Sequence, residues 1–220
     1  MPHTAIDWRP RLLAILAAQP QDADGSHDIN HFDRVWNTAR QLMATAPGAD
    51  TEIVIAACYL HDLVNLPKNH PERHLASRRS ASLARVLLAE AGYPAAKLDA
   101  VAHAIEAHSF SANIEPITLE AQIVQDADRL DALGMIGIAR LFYIAGRLGH
   151  RLAHPDDPLA LARELDDTAY SLDHIVVKLA GLPDRMRTEA GRRLGWERLE
   201  TVMAFREAFA KEWHPDGIEP

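Results

Sequence analysis

Cysteine is almost missing. The single Cys58 in 220 residues excludes an internal disulfide framework, suits a reducing cytoplasm, and makes a thiolate structural zinc site untenable. Its neighbours are Ala, Ile and Tyr, so it reads as a small buried hydrophobe. Long apolar runs are also missing. The stretch "LLAILAA" is too short to cross a bilayer, and Asp7, Trp8 and Arg9 precede it, so neither a signal peptide nor a membrane partner is expected. Positive charge is in deficit, with 23 Lys and Arg against 31 Asp and Glu and a formal net charge of −8. That excludes a sequence-independent grip on duplex nucleic acid, which needs a basic surface. A small anionic substrate survives the argument, because a local cluster of cations and a metal can override the global field. Sustained period-two alternation, internal repeats and low-complexity segments are absent as well.

What is there is helical. With 48% hydrophobic and 25% charged residues the composition is that of an ordinary globular chain, and the apolar periodicity predicts helices over about 8–18, 28–46, 50–63, 73–92, 95–108, 118–131, 133–149, 157–180 and 184–212. "APGAD" separates the second from the third, with Asp50 as an N-cap before "TEIVIAACYL". "AGYP" closes the fourth, and "AHPDDP" precedes the eighth with Asp157 and Pro158 as cap and first turn. "GLPD" joins the last two as a tight hairpin. The expected architecture is a single all-α domain over 1–220, a helical bundle with its core at about 26–150 and a C-terminal helical hairpin at about 157–212 packed on it. "EAGRRLGWERLE" in that hairpin is either a solvated face or an oligomer contact, such as that of a homodimer.

Histidine is unusually frequent, with 12 residues. Four stretches carry metal-ligand chemistry. In "SHDINHFDRVW" His27 and His31 are four apart, hence on one helical face. His61 and Asp62 are adjacent at the end of a run apolar enough to be a buried helix, where a charged Asp needs compensation. "HAIEAHSF" contributes His103 and His108, and "QDADRLDALG" contributes Asp126, Asp128 and Asp131. Each has a plain explanation taken alone: a surface histidine, a cap, or an ion pair such as Asp131 with Arg129. Together, on predicted helices of one domain, they point to mixed imidazole and carboxylate ligation of a divalent ion such as Mn, Fe, Ni, Co or Zn. A ferritin-like di-iron bundle would need Glu-x-x-His pairs on two helices, which the sequence does not contain.

The order His31, His61-Asp62, Asp128 resembles the H…HD…D signature of the HD-domain phosphohydrolases. "HFDRVW", "AACYLHDLVNLPKN", "IEAHSF" and "IVQDADRLDALGMIGIAR" are similar to the bacterial nucleotide pyrophosphohydrolases of the YpgQ- and YedJ-like subgroup. The resemblance covers about residues 26–145. It implies that His31, His61, Asp62 and Asp128 hold one divalent ion (Mn, Ni, Co, Fe, Mg or Zn), with Asp126 the alternative to Asp128. It leaves His27 and His108 for phosphate or supporting roles, and His103 with His108 as candidates for a second ion. One departure stands out: some single-metal HD nucleotidases carry a Glu three residues after the HD aspartate, where this chain has Asn65.

Phosphoester hydrolysis also follows from the chemistry. A divalent ion lowers the pKa of bound water to about 7 and polarises a phosphoryl oxygen, and charge developing on the phosphoryl oxygens calls for fixed cations. Lys68, in a loop stiffened by Pro67 and Pro71, is placed to reach a phosphate, whereas His70, Arg73 and His74 are open between phosphate contact and plain surface. The catalytic set is then Lys68, His108 and Asp128, with His27, Lys68 and His108 toward the substrate. The expected reaction is hydrolysis of nucleoside triphosphates to monophosphate and pyrophosphate. The alternatives are a 5′-nucleotidase or other phosphomonoesterase or phosphodiesterase, a nucleotide-binding regulatory module without turnover, and a mixed-valent di-iron oxygenase.

Overall fold

The computed structural model describes residues 7–19, 29–66 and 70–214. The chain forms two compact units, Met1–Asp128 and Arg129–Pro220. The described residues are all-α, with one isolated β-bridge between Arg151 and Tyr170. No helix among them is long and apolar enough to cross a membrane.

The first unit is built around α3 (Thr51–Leu60). Its residues from Ile53 to Leu60 are all buried, as a helix that is apolar all round requires. The expected cap is present: the Asp50 carboxylate accepts from the backbone N–H of Glu52 and Ile53, satisfying two donors that have no helical partner. Helices α1 (Arg9–Ala17), α2 (Ile29–Met43), α4 (Ala76–Glu90) and α5 (Leu98–His108) pack against α3, and α4 lies along α5. The core face of α2 carries His31, Phe32, Val35, Ala39 and Leu42, the spacing of an amphipathic helix. Polar ties hold the elements in register. The Tyr59 hydroxyl donates to Asp33 at 2.5 Å, and Arg9 bonds both Tyr59 and Asp33 at 2.9 Å. Lys97 bridges Asp50 (2.6 Å) and Glu52 (2.7 Å). Helix α6 (Leu119–Leu130) closes this unit.

The second unit contains α7 (Gly134–Arg147), α8 (Ser171–His174), continued by a π-helical turn over Ile175–Leu179, and α9 (Glu189–Trp213). Helix α7 packs on α9 through Phe142, Phe205 and Phe209, with ring centroids 5.7–6.0 Å apart. The first turn of α7 is tight, since a Cβ on Gly137 would lie 2.2 Å from the Ala132 carbonyl oxygen.

The helix expected over 157–180 begins only at Ser171, which shortens the first arm of the C-terminal hairpin. Side chains take the backbone donors that a helix would use. Asp157 accepts from the N–H of Leu161 and Ala162, and Asp166 from those of Thr168 and Ala169. Ala160 sits at φ 52°, a left-handed conformation that no helix interior accommodates. Asp173, fully buried, draws Arg163 in with bonds of 2.6 and 2.7 Å. The Asp157 cap is therefore present, but it caps a turn. Asp131 likewise pairs with Arg140 at 2.5 Å, and Arg129 donates to the Arg185 carbonyl at 3.0 Å.

Candidate metal centre

Four helix ends of the first unit converge. His61 is the residue that caps the C-terminus of α3, and Asp62 follows it. His108 is the last residue of α5. His31 lies in the first turn of α2, and Asp128 in the last turn of α6. The Nε2 atoms of His31 and His61 are 3.3 Å apart. Asp128 Oδ1 lies 3.5 Å from the first and 3.7 Å from the second. Asp62 spans His61 and His108, with Oδ2 3.6 Å from His61 Nε2 and Oδ1 3.5 Å from His108 Nε2.

The rings are oriented by the helices that carry them. The last carbonyls of a helix lack an N–H partner, and two of them are used here. His61 Nδ1 is 2.9 Å from the Cys58 carbonyl oxygen, and His108 Nδ1 is 2.5 Å from that of Ile105. A carbonyl only accepts, so both Nδ1 atoms carry a proton, and in the neutral ring Nε2 presents its lone pair to the centre. A second partner on the outer nitrogen is the common arrangement for ligating histidines. The Phe32 ring meets His61 edge-on at 5.4 Å and closes one side of the centre to water.

Burial decides the charge state of His61. The ring is fully buried, and this desolvation pushes its pKa down to about 4, against the pull of Asp62 and Asp128, so the imidazole is neutral at pH 7. Burial opposes charge on His108 too, but there the hydrogen bond and charge of Asp62, with the charge of Asp128, outweigh it and hold its pKa above the ordinary value. The centre thus holds two carboxylates, Asp62 and Asp128, beside an imidazole that burial keeps neutral.

Two ligand-like triads emerge among the described residues, His31–His61–Asp128 and His61–Asp62–His108. Ligands at 2.0–2.2 Å from a divalent ion, at angles between octahedral and tetrahedral, lie roughly 2.9–3.5 Å from one another. The observed 3.3–3.7 Å needs only a slight contraction to reach that range, so the donor set is capable of holding an ion. One imidazole lone pair serves one ion, and His61 Nε2 belongs to both triads.

Of the residues singled out from the sequence, His31, His61, Asp62, Asp128 and His108 come together. His103 does not: its Nε2 accepts the N–H of Ile117 at 3.1 Å and fastens the 109–118 loop to α5, so the pairing of His103 with His108 around a second ion is not what the structure brings together. Asp126 is fully buried and outside both triads, because two residues along a helix turn the side chain by about 200°. His27 and Lys68 lie outside the described residues. Sequence reasoning missed Gln125, a buried side chain whose Nε2 donates to the Ala107 carbonyl at 2.6 Å and ties the end of α5 beside His108 to the helix of Asp128. The signal was a lone polar residue within the apolar face "IVQDA".

The chain is similar to known proteins. Residues 28–133 match the HD domain family. YpgQ of Bacillus subtilis (strain 168) is 34% identical over 195 residues, covering 87% of this chain and 86% of its own. The crystal structure of Bacillus subtilis YpgQ in complex with ADP superposes with a TM-score of 0.66 at 29% identity, over 93% of this chain and 92% of that one. An HD-superfamily hydrolase from Bacillus thuringiensis gives a TM-score of 0.68 at 31% identity, over 93% of each chain. With the histidine and aspartate order, the converging donors and these likenesses in agreement, the chain belongs to the HD-domain family of metal-dependent phosphohydrolases.

Proposed function

We propose that His31, His61, Asp62 and Asp128 hold one divalent ion and that the enzyme hydrolyses nucleotides, cutting nucleoside triphosphates to monophosphate and pyrophosphate. The observation that carries the ligand set is His61 Nε2, which lies 3.3 Å from His31 Nε2, 3.6 Å from Asp62 Oδ2 and 3.7 Å from Asp128 Oδ1. The nucleotide class draws support from the ADP bound to YpgQ. When bound, such an ion acts as a Lewis acid toward water and a phosphoryl oxygen.

The chain's own groups supply the rest. The Cys58 and Ile105 carbonyls fix the two rings, so no reorientation is needed as the reaction proceeds. His108, with its raised proton affinity beside Asp62, is a proton holder able to donate from Nε2 to a phosphoryl oxygen. Lys68, six residues beyond Asp62 in the sequence, is the cation assigned to the outer phosphates. With those phosphates held away from the carboxylates, the α-phosphorus lies nearest the donor cluster. Water adds there, the α–β bridging bond breaks, and pyrophosphate departs.

Metal analysis of protein purified without added metal, followed by product analysis across a nucleotide panel with Mn²⁺, Mg²⁺, Co²⁺ and Ni²⁺, tests this reading. One equivalent of metal and pyrophosphate as first product are expected. In ¹⁸O-water the label should appear in the monophosphate. Orthophosphate as first product from a triphosphate would overturn cleavage at the α–β bond, and faster turnover of nucleoside monophosphates would move the activity to phosphomonoesters.

A further inference from the structure

The segment after the His61–Asp62 pair runs against the charge of the whole chain. Between Leu63 and Arg79 it holds Lys68, Arg73, Arg78 and Arg79 with a single acid, Glu72, in a protein of net charge −8. That acid is already engaged, since Arg79 Nη2 lies 2.6 Å from Glu72 Oε2. Arg73 is different. Its Nη1 donates to Asn65 Oδ1 at 3.1 Å and to the Leu66 carbonyl oxygen. Both acceptors are neutral, and no carboxylate pairs with Arg73 among the described residues.

Two consequences follow from the chemistry of the guanidinium. Both bonds use Nη1, which leaves Nε and Nη2, the edge whose parallel N–H groups match two oxygens of a phosphate. A guanidinium held by amide and carbonyl oxygens also keeps its full charge, whereas a carboxylate at position 65 would neutralise it. Asn65 is three residues beyond Asp62, at most about 11 Å of chain, which puts the clamped guanidinium within reach of a polyphosphate tail at the metal centre. Clamping further removes much of the rotamer entropy that a free arginine loses on binding an anion.

We propose that Arg73 is a phosphate-binding residue of the substrate site, and that the amide of Asn65 holds it in place while leaving its charge for the substrate. The proposal rests on the nucleotide reading only for what carries the phosphates. The test therefore uses inorganic tripolyphosphate, presented with saturating Mg²⁺ to the metal-loaded full-length protein and followed by calorimetry.

Arg73→Gln should weaken tripolyphosphate binding about tenfold or more, the usual worth of a charged hydrogen bond, with metal content unchanged. Arg73→Lys, which keeps the charge, should retain part of the affinity. Asn65→Asp keeps an acceptor for the clamp but neutralises it, and should weaken binding severalfold. In the Arg73→Gln background the same change should have little further effect. Unchanged binding in Arg73→Gln would overturn the proposal, and so would an Asn65→Asp effect that persists without Arg73. A rise in turnover from Asn65→Asp would also overturn it, by showing that a carboxylate there acts on the reacting atoms. Nucleotide hydrolysis measured in parallel separates the two ideas. Intact, Arg73-dependent tripolyphosphate binding in a protein that leaves nucleotides uncut would fell the nucleotide reading alone.

Discussion

Replacing Asp128 by Asn changes one oxygen for an NH₂ group and removes one charge with almost no change in volume. Asp128 Oδ1 is the carboxylate oxygen within 3.7 Å of both the His31 and His61 nitrogens, so the loss falls at the middle of the donor set. Removing even an outer partner of a metal ligand costs about 10–100-fold in affinity, and removal of the ligand itself should cost at least about 100-fold. The effect on stability follows by linkage. At metal equal to 100 times the wild-type Kd, binding stabilises the folded protein by about 2.7 kcal/mol. With Kd raised 100-fold the same metal contributes only about 0.4 kcal/mol. For a chain of this length, 1 kcal/mol moves Tm by about 2–4 °C, so the difference between chelator and metal should fall from about 5–11 °C to about 1 °C. Thermal scans with and without Mn²⁺ read this directly. Asp126→Asn is the control, since Asp126 is buried outside both triads. Its metal-dependent increment should survive whatever it does to the baseline Tm. A full increment in Asp128→Asn, or its loss in Asp126→Asn alone, would refute the assignment.

Three further outcomes are expected. Tyr59→Phe removes the hydroxyl that donates to Asp33 and accepts from Arg9, and should lower stability by about 1–2 kcal/mol in urea titration; an unchanged midpoint would show the tie to be ornamental. Gly137→Ala drives a Cβ into the backbone of Ala132 and should cost about 1–3 kcal/mol, visible as a lower Tm, whereas wild-type stability would contradict the close approach. In the metal-free protein the His61 ring signal should stay constant from pH 8 to below 6 and move only toward about 4, while His108 titrates on the high side of the ordinary histidine value. By linkage, His61 contributes stability that is whole above about 6.5 and lost as pH falls toward 4, and His108 contributes in the opposite sense, lost as pH rises through its raised value. Two rings titrating together near 6.5 would contradict the burial argument.

Local chemistry made most of this legible in advance. Asp50 before "TEIVIAACYL" announced both the start of α3 and the burial of its apolar run, because cap and apolar pattern act over one or two turns. The donors at the end of α3 were legible for a related reason: a histidine and an aspartate ending an apolar helix require compensation wherever the chain goes. The choice of Asp128 over Asp126 followed from resemblance rather than local chemistry; Asp128 Oδ1 lies 3.5 Å from His31 and 3.7 Å from His61, and Asp126 is outside both triads. What failed was long-range. Nothing local to 157–170 announces that Arg163 turns back to a buried Asp173, and the donors diverted to Asp157 and Asp166 prevent a helix that composition alone would favour. His103 and His108 look equivalent on α5, five residues apart, yet one is spent on the Ile117 amide. The clamp on Arg73 was equally hidden, since an amide and a carbonyl carry no charge pattern to read.

The carbonyl that orients His61 belongs to Cys58, the chain's single cysteine. Its thiol is fully buried, and burial, followed by the charge of Asp128, pushes its pKa upward, so it is inert while α3 is in place. Modification by a thiol reagent then requires the helix end beneath the metal centre to open, and the labelling rate at low reagent exposure counts those openings at a single atom. On the proposed ligand set the ion at His61 is released before that turn parts, and saturating metal should then slow labelling by the factor it adds to the folded population. Binding strength could thus be read from a colour change at one sulfur, with no substrate and no engineered probe.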